Sequence, residues 1–239
     1  MIIKEKIIYE DASKKQFEGV VVWDDSHTGQ KPGILVSHMW SGQSEFEVDK
    51  ATELAKLGYV GFAIDNYGKG LRANHPEEAQ KLMDVLDHDR PLLLSRMVLA
   101  VETLKKHKAV NAMKIGAIGF CFGGKCVLDL ARSGADIKGV VSFHGLLDPP
   151  TPHPKKEIKS AVLVLHGWED PMALPDAMVK LAHEMNQYNA DWNVNIYGHA
   201  GHAFTNPKAK FRDKGLFFEP RSNKRSWHSM CYFLKEIFD

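Results

Sequence analysis

The chain has 239 residues, a formal net charge of +1, 44% hydrophobic and 26% charged residues, which suits one α/β domain with ample core material. The near-neutral balance carries no signature of nucleic-acid binding, and no apolar run reaches the ~18 residues that a membrane span needs. Three cysteines, Cys121, Cys126 and Cys231, form no CxxC pair, which argues against a disulfide framework and for a reducing, cytoplasmic setting.

Residues Met1 to Glu10 mix charges into apolar positions and lack a signal-peptide core. Ile2 to Tyr9 and Phe17 to Asp24 read as two strands joined by the polar turn Asp11 to Lys15, an antiparallel hairpin at a sheet edge. Gly33 to Ser37 reads as a buried strand running into the loop His38-Met-Trp-Ser-Gly42. Ser44, with Glu47 three residues on, has the form of a capping box, and the helix it opens stops at Gly58. Glu45 and Glu47 read as part of that helix's solvated face. Tyr59 to Ile64 is the next strand, ending in the turn-rich Asp65 to Gly70. Helices are expected from Glu77 to Asp87 and from Pro91 to about His107. Lys114 to Phe120 is a strand, Gly124 to Ser133 a helix, and Lys138 to Phe143 a strand. Four prolines between Leu147 and Lys159 mark a loop. Ala161 to Leu165 is a strand, Pro175 to about Tyr188 a helix, Trp192 to Tyr197 the last strand, and Asn223 to Phe238 the closing helix. About eight strands alternate with helices after the hairpin. This predicts a single α/β-hydrolase-like domain over 1–239: a mostly parallel sheet, helices on both faces, and no room for a lid domain.

The strand at 114–120 runs into Gly119-Phe-Cys121-Phe-Gly123, the form of a nucleophile elbow with cysteine in the serine position. A nucleophile on such a turn takes a positive φ, and glycines two residues to either side relieve the crowding. The helix that follows aims its N-terminal N–H groups at the sulfur. A plain strand–helix turn around a buried cysteine is the bland alternative. A phosphate loop fails, because Cys126 follows Lys125 where Ser or Thr is required.

Cys121, Asp170 and His202 each follow a predicted strand, in the nucleophile–acid–histidine order of α/β-hydrolases. Cys121 is then expected to attack an acyl carbon, His202 to shuttle the proton, and Asp170 to hold the histidine's tautomer and charge. The oxyanion hole is expected from the N–H groups of Phe122 and Met39. Singly, an Asp-Pro after a strand reads as a turn and a Gly-His as a surface histidine; the conjunction carries the assignment. His199 and His202, three apart, invite a metal reading, but without HExxH or CxxC none is expected. His38, Trp40, Tyr67, Trp168 and Phe204 are candidates to line the cleft, with core positions the alternative for the rings.

Gly119-Phe-Cys121-Phe-Gly-Gly124, the Tyr59 to Gly68 strand and loop, His166-Gly-Trp-Glu-Asp170 and Gly201-His202-Ala-Phe204 together resemble the dienelactone hydrolase family over about residues 15–238. The resemblance implies an α/β-hydrolase fold, hydrolysis of carboxylic esters or lactones through a Cys–His–Asp triad, and no cofactor. Dienelactone hydrolases proper carry a Glu in the loop after the third strand and an Arg four residues after the catalytic histidine; these positions hold His38 and Asn206 here. A neutral ester or uncharged lactone is therefore expected ahead of dienelactone itself (carboxymethylenebutenolidase activity). Arylester or phosphotriester cleavage is a side reaction that the same oxyanion hole would support. A redox thiol or a non-catalytic binding protein of this fold is the rival reading. The expected partner is a small molecule, with no nucleic acid or membrane, and the chain is expected as a monomer or homodimer.

Overall fold

The structure, a computed structural model, describes residues 1–26 and 28–239. Its described residues form an eight-stranded sheet in the order β1-β2-β4-β3-β5-β6-β7-β8, with helices on both faces. No helix is long and apolar enough to cross a membrane among the described residues. The chain divides into two compact units, Met1–Ile118 and Gly119–Asp239.

In the first unit, β1 (Ile2–Glu10) and β2 (Gln16–Asp24) pair antiparallel without a break from Ile2↔Asp24 to Glu10↔Gln16. The carboxylate of Asp11 closes their turn by accepting the N–H groups of Ser13 and Lys15, the local bonding that makes aspartate a turn residue. β3 (Lys31–Ser37) runs parallel to β4 (Val60–Ala63), and β4 pairs antiparallel with β2. α1 (Glu45–Lys56) opens on Ser44 with both halves of the capping box formed. A Cβ on Gly61 would come 2.6 Å from the Ala51 Cα, so this glycine lets α1 lie directly on β4. α2 (Pro76–Asp87) and α3 (Arg90–Lys105) complete the unit, α3 capped by Asp89 accepting the Leu92 N–H at 2.9 Å.

β5 (Val110–Phe120) runs from the first unit into the second and begins four residues earlier than its sequence pattern. α4 (Phe122–Arg132) follows at once, and all eleven of its residues are buried. It can sit that deep because Gly124 has no side chain: a Cβ there would come 2.6 Å from Ser142 Oγ. β6 (Gly139–Phe143), β7 (Ala161–Gly167) and β8 (Trp192–Tyr197) are mutually parallel. The proline-rich stretch between β6 and β7 forms no helix or strand. α5 (Pro175–Gln187) separates β7 from β8, and α6 (Pro220–Phe238) closes the chain. One element has no counterpart in the sequence reading: a small hairpin of β9 (Lys210–Phe211) and β10 (Leu216–Phe217) around a single 3₁₀ turn, Arg212–Lys214. β8 is an outer strand of the sheet and carries Ile196 half exposed.

Candidate active site

Cys121 joins β5 to α4. It stands at the helix N-cap with φ 57° and ψ −118°, a region that costs a side chain strain and persists only where neighbours hold it. They do so here: its N–H donates to the Phe143 carbonyl at 3.0 Å, and its carbonyl accepts the Gly124 N–H at 2.9 Å. A Cβ on Gly119 would overlap the Gly123 carbonyl oxygen, so the turn requires glycine there. The side chain is 8% exposed. Phe122 is the first residue of α4, where backbone N–H groups leave the helix end rather than join its ladder.

Asp170 lies three residues past β7 and is 1% exposed. Its Oδ1 accepts the Met172 N–H at 2.8 Å, and its Oδ2 is 2.8 Å from His202 Nδ1. His202 is clamped through its backbone by the unexpected hairpin. Its N–H donates to the Gly215 carbonyl at 2.7 Å, and its own carbonyl accepts the Phe217 N–H at 3.1 Å. Gly201 permits this, since a Cβ there would overlap Gly215. The hairpin is thus the part of the site that sequence reasoning missed. Two-residue strands leave almost no alternation to find, and Gly215 at φ 67° is its one turn signal.

Burial opposes charge on His202, but the negative charge of the Cys121 sulfur and the Asp170 carboxylate outweigh it and raise the ring's pKa from 6.5 to about 10. The Cys121 sulfur raises the ring's pKa first through its charge and further through hydrogen bonding. Two more histidines stand close by. His144, just past β6, has its pKa held well below the usual value by burial and by His202. His166 on β7 is lowered by burial against the pull of Asp170.

The other expected site residues divide. Trp168, two residues before Asp170 in the chain, is 51% exposed. Phe204 is fully buried and packs its ring on His144 at 5.2 Å and Tyr197 at 5.6 Å, so it is core rather than cleft wall. Within the first unit, His38 is fully buried. Its Nδ1 lies 2.6 Å from the Met39 carbonyl and its Nε2 accepts the Asn66 N–H at 3.1 Å. Both nitrogens hold backbone, and burial drives the ring's pKa down to about 4, so His38 is a neutral structural residue and not a substrate contact. Tyr67 is 2% exposed, packs on His38 at 4.6 Å and donates its hydroxyl to the Trp40 carbonyl at 2.8 Å. Trp40 remains partly exposed. Met39, expected to offer its N–H to an oxyanion, donates it to Glu47 Oε1 at 3.3 Å. Glu47 itself is fully buried rather than on a solvated face; its other oxygen accepts the Ser44 N–H and hydroxyl, and burial raises its pKa. Its first-turn position and its capping box gave the right partner, but not the depth.

Asn206, four residues past His202, caps its own turn by accepting the Lys208 N–H at 2.9 Å. Arg72 is held by Asp65 at 3.3 Å and by Gln43 Oε1 at 2.9 Å. His199 is 94% exposed and pairs with Glu169 at 3.1 Å, a surface contact rather than a companion ligand to His202. Among the described residues no three His, Cys, Asp or Glu side chains gather as a metal site.

Residues 17–238 match the family model described as the dienelactone hydrolase family. The chain is similar to a crystal structure of P91, a dienelactone hydrolase-like promiscuous phosphotriesterase from metagenomic libraries: 31% identity, TM-score 0.94, covering 100% of this chain and 99% of that one. The structure called m3DLH matches with 35% identity and TM-score 0.94 over the same shares. A Bradyrhizobium protein named probable 2-oxo-3-(5-oxofuran-2-ylidene)propanoate lactonase is 30% identical over 219 residues, 87% of this chain and 85% of its own length.

Proposed function

The chain belongs to the dienelactone hydrolase family and is a hydrolase, and on that premise we propose that it cleaves carboxylic esters or lactones through a thioester on Cys121. The Cys121 thiolate attacks the carbonyl carbon, and the developing oxyanion takes the Phe122 N–H at the start of α4. As the C–O bond to the leaving group breaks, imidazolium His202 gives its Nε2 proton to the departing alkoxide. Water then attacks the thioester and returns a proton to Nε2; the C–S bond breaks, the acid leaves and the thiolate is restored. Asp170 keeps the Nδ1 proton in place and supports the ring's charge through both steps. The observation that carries this reading is the 2.8 Å contact of His202 Nδ1 with Asp170 Oδ2, in the same unit as a cysteine at φ 57°.

A thiolate is itself a good leaving group, so its tetrahedral adduct reverts unless the substrate's leaving group is also good. Activated esters and strained lactones should therefore exceed amides. Asn206 turned to its own backbone, and Arg72 tied to Asp65 and Gln43, leave those two positions without a cation for a substrate carboxylate. This favours neutral substrates over dienelactone. The test is kcat/KM on p-nitrophenyl acetate against the matched anilide, with Cys121→Ala and Cys121→Ser. The reading requires an acyl adduct on Cys121 by mass spectrometry, an inactive alanine variant and a weakly active serine variant; comparable ester and anilide rates would refute it.

The likeness to P91 favours a second reaction at the same site. On a dialkyl p-nitrophenyl phosphate the Cys121 thiolate would attack phosphorus and expel p-nitrophenolate while the same N–H holds the phosphoryl oxygen, and water would then cleave the P–S bond to release the dialkyl phosphate and restore the thiolate. Release that survives Cys121→Ala would place phosphotriester cleavage elsewhere.

A further inference from the structure

His144 is a residue the triad does not use, yet it touches His202 and directly follows the residue that holds the Cys121 N–H. It stands directly past β6 at φ 38°, a conformation that branched and aromatic side chains seldom adopt. The residue before it, Phe143, holds the Cys121 N–H, while its own N–H donates to the Leu165 carbonyl at 2.8 Å. Its ring is fully buried and meets the His202 ring nearly edge to face, with centroids 5.1 Å apart and planes at 68°. Its Nε2 lies 2.7 Å from the hydroxyl of Thr205, which is 2% exposed and three residues past His202. The remaining nitrogen, Nδ1, is buried without a hydrogen-bond partner among the described residues. The other neighbours of the ring are Phe120 at 6.1 Å, Phe204 and, acting through its charge, His166.

A buried imidazole with one unsatisfied nitrogen, on a strained backbone, is a poor choice for core filling alone. Its geometry supplies what the Asp170 contact leaves open. One hydrogen bond fixes the Nδ1–Oδ2 distance but leaves the His202 ring able to rock about that axis. A ring packed across it removes that freedom, provided the packing ring is itself held, and Thr205 holds it.

We propose that His144 and Thr205 form a brace that fixes the ring plane of His202, with His144 as the positioning residue and Thr205 as its tether. The role rests on the triad reading, in which Nε2 must meet a leaving group and then a water without tilting away. Misalignment of a reacting group by about 1 Å costs up to ~100-fold in rate, so partial loss of the brace should show in kcat before KM.

The test is a four-variant set on the full chain: Thr205→Val, Thr205→Ser, His144→Phe, and Thr205→Val with His144→Phe. The brace requires kcat on p-nitrophenyl acetate to fall about 10-fold in Thr205→Val and in His144→Phe with KM within about twofold, most of it to return in Thr205→Ser, and the double variant to be no worse than either single one. Wild-type kcat in both single variants, or losses that multiply in the double variant, overturns it. A second readout uses 15N-histidine NMR in a Cys121→Ala background, where no turnover is needed. The His202 ring signals should shift or broaden when Thr205→Val is added; unchanged signals overturn the brace. Continued ester hydrolysis by Cys121→Ala would instead sink the nucleophile assignment, which separates the two failures.

Discussion

Asp170 takes two N–H donors on two different oxygens, Met172 on Oδ1 and His202 on Oδ2, each at 2.8 Å. An asparagine offers one acceptor in place of two. If its oxygen keeps Met172, its NH₂ faces His202 Nδ1 and drives that proton to Nε2, where the ring can no longer take one up. Asp170→Asn should therefore keep the fold and lose roughly 10⁴ in kcat, the scale of the equivalent change in a serine triad; a loss under tenfold in steady-state assays would count against the assigned roles. The charge on His202 also has a stability signature. Its folded pKa of about 10 lies above the ordinary 6.5, so the folded state binds a proton that the unfolded state lacks between those values. That contribution is whole below about pH 6.5 and is lost as pH rises toward 10. Urea midpoints at pH 6, 8 and 10 should decline in the wild type and less in His202→Gln, and Cys121→Ala should move the decline to lower pH by removing the sulfur's charge. The pairing of Asp170 with His202 and the strand–helix turn at Cys121 were legible because order and strand-end placement are carried by the chain itself. The roles of His38, Tyr67 and Phe204 were not, because a ring at a strand end faces core or cleft according to neighbours that only folding supplies.

At the scale of elements, α4 and α5 are joined by a buried guanidinium. Arg132 is fully buried, pairs with Glu184 through Nε at 2.7 Å and Nη2 at 2.9 Å, meets Asp129 at 3.2 Å, and donates to the Leu147 carbonyl at 2.8 Å. It therefore fastens the proline-rich stretch as well as the two helices. Arg132→Met leaves Glu184 and Asp129 without their cation. We expect a loss of about 3–5 kcal/mol, the usual result of removing one member of a buried pair, read by urea denaturation; Glu184→Gln, which keeps a hydrogen-bond acceptor for the guanidinium, should cost less. A Glu184→Gln cost equal to that of Arg132→Met would mean that the lost charge pairing alone sets the effect, with nothing added by the lost guanidinium contacts to Asp129 and Leu147. Sequence periodicity placed both helices, yet gave no hint that Arg132 was internal: it lies in the last turn, where a basic residue ordinarily serves the helix dipole from solvent.

On the scale of the whole molecule, alternation of strands and helices revealed the sheet, and the elbow, acid and histidine loops revealed the family. The 210–217 hairpin that clamps His202 stayed hidden, being too short to leave a pattern. The two outermost strands, finally, are not equally guarded. β1 bears Lys4, Glu5 and Lys6, all exposed, whereas β8 has no charged residue and shows Ile196 at 49% exposure. An open strand margin templates pairing with other chains unless charge repels them. Self-association on heating should thus begin at β8: Ile196→Lys should delay turbidity at fixed protein concentration while leaving the unfolding midpoint nearly unchanged, and Lys4→Ile should hasten it. If Ile196→Lys clouds as early as the wild type, clumping starts at another surface.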